Sequence, residues 1–216
     1  MSNENSHSSE NVSKSVDLLL THGRVITMDS QRRILRDGAI AVDNGRIVAI
    51  GPSQEVSRSV RGVEERDLNG SLVHPGFIDA HVHPTLQLVR GVLPDYYDEA
   101  TLYKEYSGPS AAEKTEDEEY YSTLLASMEM AHNGTTAFAD TGSFNYLDRC
   151  VSAVNDVGIR GAVGGVGTKD LQDIPGWFRV EQKVPSAADC LTQLDRQISN
   201  YPKNGARVWC AVTLLG

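Results

Sequence analysis

The chain has 216 residues, 40% of them hydrophobic and 23% charged, and its 29 acidic against 20 basic residues leave a formal net charge of −9. That balance offers no basic surface to a phosphate backbone, which argues against nucleic acid as a partner. The longest apolar stretches, such as Val212-Thr213-Leu214-Leu215, fall far short of the roughly 20 residues a membrane span needs, so no membrane partner is expected either.

Residues 1–15 open a Ser/Asn-rich stretch (MSNENSHSSENVSKSV) with neither a basic start nor an apolar core, and they read as a disordered tail rather than a signal peptide. A cytoplasmic location follows. Cys150, Cys190 and Cys210 form no CxxC pair and no even-numbered framework, as suits a reducing compartment, and all three are expected to be buried small hydrophobes. In Gly38–Ile50 two alternating apolar runs flank Asn44-Gly45, a pair that accepts the positive φ of a tight hairpin. Val16–Met28 and Glu65–Leu72, the latter with a second turn at Asn69-Gly70, complete an all-β module over residues 16–72.

Over residues 73–216 the pattern becomes strands alternating with helices. Leu72–His83 is a strand; Thr115-Glu116-Asp117-Glu118 is a capping box whose helix runs to Asn133-Gly134; Thr135–Asp140 is the next strand. Asn145 is placed to cap a helix ending at Gly158, Ile159–Val166 is a third strand, Ser186 opens a helix that stops at Tyr201-Pro202, and Arg207–Leu215 is a fourth strand. Such repetition predicts a parallel sheet covered by helices, as a barrel or as a doubly wound sheet.

The chemistry concentrates in Pro75-Gly76-Phe77-Ile78-Asp79-Ala80-His81-Val82-His83-Pro84. Residues two apart on a strand share a face, so His81 and His83 present two imidazoles at the strand's C-terminal end, and two neutral imidazoles are half of a metal site. Asp79 lies on the same face and could orient an imidazole as a supporting carboxylate. Gln87 and Arg90 follow closely, the first suited to reading a ring edge and the second to pinning the loop. Tyr96, Tyr97, Tyr103 and Tyr106 crowd the loop after this strand, and Trp177-Phe178 sit in the long loop after the third, where flat rings suit a flat ligand. His132 near a helix C-terminus, His74 packed at the strand start, and His7 and His22 are assigned no catalytic part, and Asp140 reads as a structural hydrogen-bonding residue.

A small β module running into PGFIDAHVH resembles the amidohydrolase superfamily, and Arg90-Gly91 with Ser127–Thr136 and Ala137-Phe138-Ala139-Asp140 resembles its branch of cytosine, guanine and S-adenosylhomocysteine deaminases and triazine chlorohydrolases. The resemblance implies an α/β fold: the N-terminal part of a (β/α)8 TIM-like barrel preceded by a small β-sandwich module. A full barrel needs about 250 residues, so the chain is expected to stop after the fourth barrel strand. It further implies that His81 and His83 are ligands of one divalent metal ion, zinc or iron, and that the ligands and acid/base residues of later strands lie outside this sequence. Gln87, Arg90 and Trp177 become candidates for contacting a small heterocyclic substrate. The implied activity is hydrolytic deamination or dechlorination of a nitrogen heterocycle by a metal-activated water, and family habit implies a homodimer. Two alternatives stay open: a cyclic or exocyclic amide hydrolase, disfavoured because Arg207–Leu215 holds no lysine, and a non-catalytic half-barrel, inactive alone and in need of a partner or arising from gene prediction. Adenosine-type members place an acid shortly after a proline in the first long loop and an arginine at the end of the third strand. Pro109-Ser110-Ala111 and Val163-Gly164-Gly165 depart from that, which disfavours S-adenosylhomocysteine.

Overall fold

The structure, a computed structural model, describes residues 14–91, 98, 101, 105, 114–164, 168–169, 186–212 and 214–215. The tyrosines of the first long loop, Pro109-Ser110-Ala111, Gly165 and Trp177-Phe178 lie outside the described residues. By contacts the chain divides between Pro75 and Gly76.

The first unit is a five-stranded sheet with one short helix. Its strands β1 (Lys14–Ile26), β2 (Ile34–Asp43), β3 (Arg46–Pro52) and β4 (Val60–Asp67) run in the order β3-β2-β1-β4, and β5 (Leu72–Val73) also pairs with β1. The expected hairpin joins β2 to β3: Asn44 and Gly45 both take positive φ, 51° and 69°, the geometry whose twist matches that of the flanking strands. β1 changes phase between Leu20 and Gly23, where His22 is left-handed (φ 55°) and its ring pairs with Asp67 at 3.2 Å. Two features depart from an all-β reading. Ser53–Ser59 forms a helix, α1, and β4 runs parallel to β1, so α1 serves as the crossover that a parallel pair requires. Val56 of α1 closes a core of Val16, Leu19, Ala39, Ala41 and Val60.

The second unit begins where the expected strand Leu72–His83 is broken. Pro75 has no N–H to give a ladder, and the run divides into β5 of the first unit and β6 (Phe77–Val82) of the second. A Cβ at Gly76 would collide with the Thr136 side chain, so only glycine lets β6 enter beside β7 (Thr135–Asp140). With β8 (Arg160–Val163) and β10 (Val208–Cys210) these strands form a parallel sheet in the order β10-β8-β7-β6. β9 (Thr168–Lys169) and β11 (Leu214–Leu215) make a separate parallel pair. The helices between them are α2 (Glu116–His132), α3 (Leu147–Val157) and α4 (Ala187–Asn200), and a 3-10 turn covers Pro84–Val89. Phe138 of β7 and Val163 of β8 pack on Phe144, Leu147, Cys150, Val151 and Val154 from α3 and its approach. Cys150 and Cys190 are buried as expected, whereas Cys210, at the end of β10, is only part-buried.

The expected capping box forms at Thr115, and a second forms at Ser186, the residue expected to open its helix. Thr115 accepts from the Glu118 N–H (3.2 Å) while Glu118 accepts from the Thr115 N–H (2.7 Å), and Ser186 with Asp189 repeats the arrangement on α4. Thr115→Ala is expected to cost about 1 kcal/mol in denaturant unfolding. The Thr115 N–H, then its hydroxyl, hold the Glu118 carboxyl below its ordinary value of 4.5. A lowered folded pKa stabilises above the unfolded value and is lost as pH falls through the folded one. The unfolding midpoint of the wild type should therefore exceed that of Glu118→Gln at pH 7, and the gap should close when both are titrated below pH ~4. A gap that persists in acid would sink this reading.

Candidate functional site

β6 ends at the histidine pair. Its alternation puts Asp79 and His81 on one face, and His83 follows as the strand gives way to the Pro84–Val89 turn. The two rings stand edge to face, centroids 5.4 Å apart and planes at 74°, and both residues are exposed. Two imidazole nitrogens on one tetrahedral ion sit about 3.3 Å apart at metal–nitrogen distances near 2.0–2.1 Å.

Three elements support the pair. The Thr141 hydroxyl, just past the end of β7, lies 3.0 Å from Nδ1 and 3.2 Å from Nε2 of His83. Asp140 beside it is buried, and its carboxylate accepts from the Gly142 N–H (2.8 Å), the Ser143 N–H (3.1 Å) and hydroxyl (2.5 Å) and the Gly164 N–H (3.4 Å). It ties the ends of β7 and β8 together, the structural part expected of it. On the other side, Ser122 Oγ of α2 donates to the Pro84 carbonyl (3.0 Å) and accepts the Gln87 N–H (2.9 Å), while Lys114 Nζ donates to the Thr85 carbonyl (2.7 Å). Although His83 is exposed as a residue, partial desolvation of its ring pushes the imidazole below its ordinary value, with Asp140 opposing and His81 and Lys114 assisting. A neutral imidazole is the form that ligates metal.

The remaining expectations fall out differently. Asp79 Oδ1 accepts the backbone N–H of His81 (3.1 Å), a bond that sets the strand end. Arg90 makes a bidentate pair with Glu129 of α2 (2.6 Å each) and also reaches Gln87 Oε1 (3.1 Å). Both side chains are thus committed to the loop–helix contact, the pinning expected of Arg90. Arg90→Ala should lower the thermal midpoint only slightly, as loss of an exposed ion pair does. His74 is exposed, with Nδ1 2.7 Å from the Pro75 carbonyl oxygen, instead of packed. Asn145 does not cap α3: the cap residue is Tyr146, and the carboxylate of Glu119 from α2 takes the N–H groups of Asn145 (3.0 Å) and Tyr146 (2.9 Å). Thr141, Ser122 and Glu119 were not singled out by sequence. Thr141 follows directly on a barrel-type strand, where chemistry gathers, but hydroxyls like Ser122 leave no pattern.

Among the described residues no group of three or more His, Cys, Asp and Glu could hold a metal, so the pair is a partial donor set. A cavity of about 350 Å³ lies elsewhere, lined by residues such as Tyr146, Arg149, Gln197 and Tyr201. Its Tyr201 hydroxyl donates to Asp148 (2.6 Å), and burial followed by that bond pushes the phenol up to about 12.

The amidohydrolase family profile matches residues 72–206, a span that starts at β5 and contains both histidines. The chain belongs to the amidohydrolase family. It is 37% identical over 163 residues to a 5-methylthioadenosine/S-adenosylhomocysteine deaminase of Syntrophobacter fumaroxidans, covering 76% of this chain and 36% of that one. A 5'-deoxyadenosine deaminase of Methanosarcina mazei is 31% identical over 147 residues, covering 68% and 32%. This amidohydrolase chain therefore spans about a third of the length of the curated relatives it matches. Among solved structures it superposes on a zinc-bound adenosine deaminase of Xanthomonas campestris (TM-score 0.75, 23% identity, 92% of this chain and 43% of that one). It superposes likewise on the zinc-complexed atrazine chlorohydrolase of Arthrobacter aurescens TC1 (TM-score 0.78, 24% identity, 92% and 47%). The fold is that of an amidohydrolase barrel, of which the four-stranded parallel sheet is a part.

Proposed function

We propose that this amidohydrolase chain contributes His81 and His83 as two ligands of a single divalent ion, zinc or iron, in a hydrolase that removes an amino group or a halide from a nitrogen heterocycle. The edge-to-face imidazole pair at the C-terminal end of β6 carries the reading. When bound, such an ion supplies a water acidic enough to act as a nucleophile at neutral pH. His81 and His83 would hold it, the Thr141 hydroxyl lies against the His83 ring, and Asp140 keeps the turn that carries Thr141 in place. The names of relatives at 31–37% identity favour an adenosine derivative as the ring deaminated. At the end of β8 this chain has Val163-Gly164 and no arginine, so guanine, cytosine and chlorotriazines belong in the same screen. Residues Gln87, Arg90 and Trp177 remain part of the proposal only as loop residues near the substrate, with Asp79 as a support of the strand end. A homodimer in the cytoplasm is proposed with it, and among the described residues no helix is long and apolar enough to cross a membrane.

The natural protein that carries this sequence should release ammonia from at least one such heterocycle, or chloride from a chlorotriazine, and lose that activity on chelation with return on adding zinc or ferrous ion. Turnover unaffected by exhaustive chelation would overturn the metal reading. Hydrolysis confined to cyclic amides would overturn the substrate class.

A further inference from the structure

α2 buries an unusual face. Glu119, Ser122, Thr123, Ala126 and Ser127 are its buried residues, and the largest of them is a fully buried carboxylate. A buried charge survives only where hydrogen bonds replace its water. Glu119 finds them outside its own helix: the Asn145 N–H and the Tyr146 N–H donate to its oxygens, and Asn145 Nδ2 donates to Oε1 at 2.8 Å. Cys150 Sγ of α3 lies 3.7 Å from Oε2.

These bonds fall on the far end of the turn that carries Thr141. Asp140 takes the N–H groups of Gly142 and Ser143 at the near end, and Glu119 takes those of Asn145 and Tyr146 at the far end. Two buried carboxylates thus occupy four backbone donors of a seven-residue turn, Asp140–Tyr146. One helical turn along α2, Ser122 grips the other loop at the pair, the Pro84–Gln87 backbone immediately after His83. The loops also meet each other, Thr85 Oγ1 donating to the Ser143 carbonyl at 3.4 Å. Both sides of the Thr141–His83 contact are therefore referred to the same helix.

We propose that Glu119 is a positioning residue for the His83 imidazole, acting through the Asp140–Tyr146 turn and Thr141, with Ser122 fixing the opposite loop. The inference rests on the metal-pair reading, and it goes beyond it in assigning ligand orientation to a polar stripe on an outer helix. Groups hydrogen-bonded directly to a metal ligand change metal affinity by about ten- to a hundredfold when removed, and a group acting one link further out is expected at the low end of that range.

Glu119→Gln has nearly the same volume but sets an amide N–H2 against backbone N–H donors. In the natural protein carrying this sequence it is expected to weaken zinc binding about tenfold, measured by competition with a chromophoric chelator. In the metal-free protein it should shift the ring-nitrogen resonances of His83 while those of His22, in the first unit, stay put. Ser122→Ala, a smaller change, should move the same resonances and serves if Glu119→Gln does not fold. Unchanged His83 resonances and zinc affinity in the folded variant, with only the thermal midpoint lowered, would make Glu119 a plain helix cap and overturn the inference. A wild type that binds no zinc, with His83 still responding to Glu119→Gln, overturns the metal reading and leaves the positioning intact.

Discussion

His81→Ala is expected to empty the metal site. Two imidazoles 5.4 Å apart are the only His, Cys, Asp or Glu donors that β6 and its following turn bring to one point besides Asp79, whose carboxylate is engaged by the His81 N–H. Removing one leaves His83 alone among them, and Thr141 then orients a ligand with no partner on its own strand. Affinity for zinc should fall at least about a hundredfold, some 3 kcal/mol, and turnover of any heterocycle should fall with metal content. Metal analysis after dialysis against a weak chelator gives the answer, with His132→Ala as a control that keeps its metal. If His81→Ala retained full metal content and full activity, the assignment of the site to the end of β6 would be wrong.

Asp140→Ala should be the most damaging single change to stability among the site's neighbours. The side chain is 4% exposed and accepts from three backbone N–H groups and one hydroxyl, belonging to two different strand ends. Truncation leaves those donors without an acceptor in a place water cannot easily reach, at about 1–3 kcal/mol for each buried group left unsatisfied. A total of about 3 kcal/mol is expected in urea unfolding, allowing for partial relaxation of the turn. Asp140→Asn keeps one acceptor oxygen and should cost about half as much. Burial, the largest influence, raises the Asp140 carboxyl above its ordinary 3.8, against the pull of its hydrogen bonds. A raised folded pKa means that the ionised group opposes folding above that pKa, an opposition relieved as pH falls through it. Asp140→Asn should therefore look most favourable relative to wild type at neutral pH and lose ground on mild acidification. A destabilisation by Asp140→Ala of under about 0.5 kcal/mol would place it among ordinary surface changes and refute the account.

The histidine pair was legible because its chemistry is local: residues two apart on a strand share a face whatever surrounds them. The hairpin at Asn44-Gly45, the capping box at Thr115 and the helix start at Ser186 were legible for the same reason, each being fixed by residues within four positions of one another. What escaped depends on partners far along the chain. Glu119 stands in the run Glu116-Asp117-Glu118-Glu119, which reads as solvated charge at a helix start, and only the backbone of residues 145 and 146 makes its burial tolerable. The break at Pro75 was hidden by apolar residues on either side, and α1 was hidden by the strands around it although Pro52 stands at its start. Asn145 has the composition of a cap but not the position, since a carboxylate from α2 already fills that place.

The order of strands in the second unit also bears on how the protein is made. β6, β7, β8 and β10 lie side by side in the sequence in which they are synthesised, each joined to its predecessor in the sheet. Each of β7, β8 and β10 finds its sheet neighbour already made when it emerges from the ribosome, and the connecting helix is in hand to cover the new pair. Chain closure is then a series of short steps rather than one long search, which keeps the entropic cost of each pairing low and shortens the time that an open edge is exposed to other nascent chains.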